Sequence, residues 1–301
     1  MKDFEDNDMN IDGEMDVEGS EQIDIDRKEL IYAAKICLKA DKIEEAITFC
    51  LQFIQLNPVL NEFERNLFVN SFKKFIMKKR SSWRIIHSKE KKIISNEQED
   101  ENSKVKHLSY LKEIRNEIEN EIIICVKQII QIINNFLLPV CEEDPESAVF
   151  YLKLKGDYLR YYLEIAANDL KQELYSEAES SYINAIEISQ EHLPIFNTTK
   201  LGLILNYTVF LWDSKNHLEA YMMAQNAYSQ IENESEEIGN NKEAIYIIQL
   251  MKENLQNWMK EKSLIKALEK LNEEEGESGN MEENNEDNEN YEFDKREEMM
   301  F

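Results

Sequence analysis

Two short stretches of this 301-residue chain carry cations at a spacing suited to anion recognition. In YLKLKGDYLRY, residues 151 to 161, Lys153 and Arg160 are seven positions apart, about two helical turns, with Tyr161 beside the second. In FKKFIMKKRSSWR, Lys73 and Arg80 repeat that interval. Both segments read as otherwise buried helices. Packed side by side, they would converge four cationic side chains on one group, and the chemistry is that of a phosphate socket.

The elements that must position these residues are helices. Of seven glycines, Gly13, Gly19, Gly276 and Gly279 lie near the ends, leaving Gly156, Gly202 and Gly239 for the core, too few for a turn-rich β fold. The four prolines separate apolar stretches patterned at i, i+3, i+4 and i+7. This patterning predicts an all-α fold of about nine antiparallel helices forming a concave groove, over 27–40, 43–57, 61–95, 104–138, 145–168, 171–190, 195–212, 216–234 and 240–271. A polar loop is expected at 95–106, and the last helix is expected to continue past Trp258 through MKEKSLIKALEKL. Gly156 and Gly202 fall inside helices, where each costs about 1 kcal/mol against alanine. A close helix crossing would justify that cost.

Charge divides the chain into three. Residues 1–26 hold eleven acids against one lysine and residues 272–301 hold thirteen acids against two basic residues, so these ends carry −10 and −11 of the total −26. They are expected to be disordered acidic tails flanking one helical domain at 27–271. A strongly acidic protein is a poor binder of nucleic acid or of anionic membrane, so neither partner is expected. The most apolar segment, EIIICVKQIIQIINNFLLPV, is interrupted by Lys127, Gln128, Gln131, Asn134 and Asn135, which reads as a buried amphipathic helix. The N-terminus lacks the pattern of a signal peptide, and a cytoplasmic location is expected.

Catalytic classes find no footing. The cysteines at 37, 50, 125 and 141 show no CxxC spacing and read as reduced core thiols, and the histidines at 87, 107, 192 and 217 show no metal spacing. No nucleophile with an adjacent base and no phosphate-binding glycine loop is visible, so the chain is read as a non-enzyme without cofactor or metal. A tetratricopeptide-like scaffold that binds unmodified peptides is the alternative to phosphate recognition, although no repeat of fixed period emerges.

Four blocks in order, ERNLF with KKRSSWRII (64–68 and 78–86), VFYLKLKGDYLRYYLEIA (149–166), LGLILNYTVF (201–210) and IIQLMKENLQNW (247–258), resemble the 14-3-3 family. The resemblance spans residues 27 to 260. It implies nine antiparallel helices, no catalysis, and a groove that clamps phosphoserine- or phosphothreonine-containing clients in signalling. By motif position, Lys73, Arg80 and Arg160 would bind the phosphate and Tyr161 would supply a hydroxyl. Lys153 would sit at the groove edge. Asn206 and Asn254 match the asparagines that bond the peptide backbone, and Leu205, Val209, Ile247, Leu250 and Trp258 would form the apolar wall, although apolar spacing alone reads equally as core. Asp213 stands where the family usually has glutamate. Trp83 and Trp212 read as packing residues.

The resemblance also implies a homodimer tied by ion pairs between the first two helices of one subunit and the fourth of the other. Glu45 and Glu117 fall at one matched pair and are like-charged, whereas Lys42 with Glu121 preserves another. Ile114 stands where the family tends to have tyrosine. A weakened dimer or a monomer is therefore expected. The acidic tail, with Ser278 as a candidate phosphorylation site, could occupy the groove of its own chain, and Ser82 in RSSW is a second candidate for modification.

Overall fold

A computed structural model describes residues 17–96, 100–233, 241–261, 264–266, 268 and 270. Among them the chain forms nine α-helices and no strand. These are α1 (Val17–Lys39), α2 (Ile43–Leu56), α3 (Glu62–Ile94), α4 (Glu101–Ile132), α5 (Pro145–Ile165), α6 (Lys171–His192), α7 (Thr198–Asp213), α8 (His217–Asn233) and α9 (Lys242–Trp258). A π turn at Ile133–Leu137 and a 3-10 turn at Leu138–Val140 follow α4. The chain divides into two compact units, one up to Cys125 and the other from Val126.

In the first unit, α1 and α2 pack together across a tight turn whose Asp41 takes φ 61. The core gathers Phe53, Ile54, Phe68, Phe72 and Ile76, all fully buried. Helix α3 starts at a capping box: Asn61 Oδ1 accepts from Glu64 N at 3.0 Å, and Glu64 Oε2 accepts from Asn61 N at 3.1 Å. The same Glu64 carboxylate receives two bonds from Arg27 of α1, at 2.7 and 2.8 Å, so one acid anchors α1 and starts α3. Farther along, Glu119 of α4 accepts from Trp83 Nε1 at 2.8 Å and from Arg115, which also reaches Glu90 at 3.1 Å. That network ties α3 to α4.

In the second unit, α5 packs against α6 and α7, and α7 against α8 and α9. Gly156 is the reason α5 and α6 can approach. A Cβ built there would lie 2.7 to 2.8 Å from ring atoms of Tyr182, inside any tolerable contact. The expected close crossing is present at this glycine. At Gly202 the nearest neighbour would be Lys153 Cε at 3.5 Å, an ordinary contact. Helix α7 is fixed at its start by Glu146 of α5, which accepts from Asn197 Nδ2 at 3.0 Å and Thr199 Oγ1 at 3.1 Å. Asn197 in turn caps α7 by accepting from Lys200 N.

The apolar run ending α4 behaves as its pattern indicates. Ile122, Cys125, Val126, Ile129, Ile132, Ile133 and Leu137 are buried, while Lys127, Gln128, Gln131, Asn134 and Asn135 are exposed. By length and composition alone, Glu101–Val140 is apolar enough to cross a membrane, yet its polar residues line the outer face. The cysteines are free, and burial pushes the Cys50 and Cys125 thiols up to about 12.

Three boundaries differ from the sequence reading. Helix α1 begins at Val17, not at 27, so the stretch read as a disordered extension to residue 26 is helical from Val17 onward. Apolar periodicity does not register this extension, because residues 17–26 hold few apolar side chains. Helix α4 begins at Glu101, shortening the expected loop at 95–106, because Asp100 accepts from Ser103 N at 3.1 Å and from Ser103 Oγ at 3.2 Å and starts the helix early. Helix α9 ends at Trp258 rather than continuing to 271. Lys260 and Glu261 turn out of it, and the described residues 264–266, 268 and 270 are helical, with Leu264 fully buried. Periodicity ran through that break because no glycine or proline marks it. Ser278 and the 272–301 segment lie outside the described residues.

Candidate functional site

The second unit holds a buried carboxylate that the sequence reading passed over. Asp157, on α5, is 4% exposed and accepts from Lys153 Nζ at 3.0 Å, from Tyr182 Oη at 2.7 Å, and from Asn206 Nδ2 at 2.8 Å on both oxygens. Burial alone would raise its pKa. Lys153 and Arg160, together with the Tyr182 hydroxyl, outweigh burial and hold the carboxyl below its usual range, so it stays ionised. Burial and the neighbouring carboxylate push the Tyr182 phenol well above its ordinary value, which keeps it a neutral donor.

Arg160 sits at the rim of this hub. Its terminal nitrogens lie 3.8 Å from Asp157 and 3.8 Å from Asp213, close enough for electrostatic restraint but beyond hydrogen-bond distance. The Nε is buried with no hydrogen-bond partner among the described residues. Its guanidinium lies over the Tyr161 ring, 5.1 Å from the centroid. Arg160 is thus oriented by two carboxylates and one aromatic face while hydrogen-bonding to neither acid.

Four of the expected peptide contacts come together. Lys153, Leu205, Asn206 and Ile247 line one open pocket of about 240 Å³, with Gly202 at its wall. The Lys153 stem crosses Gly202 on its way to Asp157, which places its charge beside Asn206. Since a carboxylate only accepts, the Asn206 amide nitrogen must face Asp157, leaving its Oδ1 as the acceptor. Ile247 belongs to the buried cluster of Leu201, Ile231 and Ala244, and Leu205 packs against it, so both are core and pocket wall. Val209, Leu250 and Asn254 are half-buried on α7 and α9. Trp258 is 7% exposed and stacks on Trp212 at 4.6 Å and 8°, which makes it principally a packing residue.

In the first unit, α3 carries Lys73 and Arg80. Lys73 is exposed, whereas Arg80 is 8% exposed and donates from Nη1 to Met77 Sδ at 3.6 Å. Arg80 opens onto a concave face of about 710 Å³ that Ser81 and Arg84 also line. Ser82 Oγ donates back to the Lys78 carbonyl at 3.2 Å. No group of three or more potential metal ligands occurs among the described residues.

Asp157 and Tyr182 are the functional residues that motif spacing missed. The signal was present: an acid four residues after Lys153 and three before Arg160 faces both on a helix. Tyr182 left no comparable sign, because its partner is 25 positions away.

The fold is all-α, and its second unit sets an arginine and an asparagine on one buried carboxylate beside an open pocket. The 14-3-3 protein family model matches residues 33–259. The chain is 32% identical over 237 residues to 14-3-3 protein eta from Bos taurus, Mus musculus and Rattus norvegicus, covering 77% of this chain and 94% of each relative. The chain belongs to the 14-3-3 family and is a phosphoserine- and phosphothreonine-binding adaptor. Family members are adaptors rather than enzymes, and nothing favours the tetratricopeptide-like alternative.

Proposed function

We propose that one phosphoryl group of a client takes Lys73, Arg80 and Arg160 as its cationic ligands and the Tyr161 hydroxyl as a further donor. The observation that carries this reading is Arg160, oriented at 3.8 Å from two carboxylates and with a buried Nε that no described residue satisfies. Family membership and the motif blocks support reading Lys73 and Arg80 as ligands of the same group. A phosphate near −2 charge offers three strong acceptor oxygens, and an arginine can meet two of them at once. Asn206, through its free acceptor, and Asn254 bond the client backbone. Leu205, Val209, Ile247 and Leu250 form the apolar wall, with Lys153 at its edge, Asp213 restraining Arg160 and Trp258 supporting from the core. The protein acts without catalysis or cofactor, in the cytoplasm.

Phosphorylation is then the switch, since a neutral serine leaves the clustered cations uncompensated. The test is fluorescence polarisation with one peptide in phosphorylated and unphosphorylated form. Only the phosphorylated peptide is expected to bind, and equal affinity for both would end the reading.

The dimer is weakened in this reading. Lys42, one half of the preserved intersubunit pair, bonds Glu45 of its own chain at 3.3 Å, and Glu121, the other half, bonds Lys79 at 2.6 Å. Glu45 and Glu117 repel, and exposed pairs supply only about 0–1 kcal/mol in any case. Sedimentation at micromolar protein is expected to show substantial monomer; dimer alone would contradict it. Occupation of the groove by the chain's own acidic tail belongs to the same reading, since a tether raises its effective concentration. Truncation after Leu271 should then tighten phosphopeptide binding, and unchanged affinity would remove the tail as a competitor.

A further inference from the structure

The concave face on α3 does not stop at Arg80. Arg80, Arg84, Ser88 and Lys92 follow one another at intervals of four, the ridge spacing of a helix, and Lys89 lies beside them on the same face of about 710 Å³. Arg84, Ser88, Lys89 and Lys92 are exposed. The one acid in this part of the helix, Glu90, is engaged by Arg115 at 3.1 Å. In a chain of net charge −26, such a run is a local reversal of sign set into a hollow.

We infer that this ridge is a second phosphate subsite, for a client phosphorylated twice. The inference rests on the phosphate reading of Arg80. Arg80 and Ser88 are eight residues apart, about 12 Å along the axis, a span that about four residues of extended chain cover. The second phosphoryl group therefore sits four residues from the first, met by Arg84, Lys89 and Lys92 with the Ser88 hydroxyl as a donor. A phosphoryl group fits better than a carboxylate because three cations face it and its charge is nearly doubled. An anionic membrane fits poorly, because the rest of the molecule is acidic and would be repelled.

The test measures the affinity of the full-length chain, at about 0.15 M salt, for a peptide with one phosphoserine and for two versions carrying a second phosphoserine four residues before or after it. One of the two is expected to bind about tenfold tighter or more. Lys89→Ala combined with Lys92→Ala should abolish that gain and change the singly phosphorylated peptide by less than about twofold, since at that salt the screening length is near 8 Å. Both lysines are exposed, so the variant should keep its fold, which circular dichroism checks. No gain from either second phosphate, or a gain that survives the double variant, would overturn the subsite while leaving the first phosphate reading intact. A glutamate at the favourable position giving the full gain would assign the ridge to acidic residues generally. Retention on phosphatidylserine vesicles through Lys89 and Lys92 would assign it to a membrane. Loss of all phosphate dependence would sink both readings.

Discussion

Asp157→Ala is expected to lower stability by about 3–5 kcal/mol, read as a reduced midpoint in chemical denaturation. The argument is one of stranded partners. The carboxylate is 4% exposed and accepts from Lys153, Tyr182 and Asn206, with Arg160 3.8 Å away. Removing it leaves a fully buried phenol and an amide without their acceptor, Lys153 without its counterion, and Arg160 with Asp213 alone. Asp157→Asn keeps the volume and loses the charge, so it should cost less but move in the same direction. The pH dependence gives the sign. Because the folded carboxyl titrates below its ordinary value of 3.8, its contribution is fully present above that value and is lost as pH falls through the lower folded one. The wild type should therefore lose stability more steeply than Asp157→Asn as pH falls below 3.8. Parallel acid limbs for the two proteins would rule out this account.

Lys73→Glu and Arg80→Ala are each expected to weaken phosphopeptide binding by at least about 2 kcal/mol, roughly thirtyfold in Kd. The two changes act differently. Lys73 is exposed, so reversing its charge should leave the fold intact and turn an attraction for phosphate into a repulsion. Arg80 is 8% exposed and lies on a helix that also packs the core, so its loss should cost some stability as well as affinity. A pull-down with wild type and both variants, with thermal midpoints measured alongside, separates the effects. Binding that survives both changes would remove the proposed phosphate ligands.

Much of the fold was legible because helices announce themselves through apolar period and sparse glycine. The interior boundaries of α2, α3 and α5 lie within three residues of the patterning. The ends were not legible where apolar spacing is silent: the polar start of α1, a cap at Asp100, and a turn after Trp258 without a breaker residue. Motif position picked out Lys153, Leu205, Asn206 and Ile247, which line one pocket, because it carries residue identity. What position could not carry was partnership. Nothing in the sequence indicated that Asn206 commits its donors to Asp157, or that Lys42 and Glu121 bond within their own chain. The absence of a side chain at Gly156 was visible as a cost, but only the Tyr182 ring lying against it gives the reason.

The acid beneath Arg160 also fixes Asn206, so in the proposed site recognition of the modification and recognition of the main chain around it share one foundation. Neither can be retuned alone. A lineage that altered that acid to change its clients would have to rebuild grip and register together, which makes the flanking positions on α3, α7 and α9 the easier route to new partners.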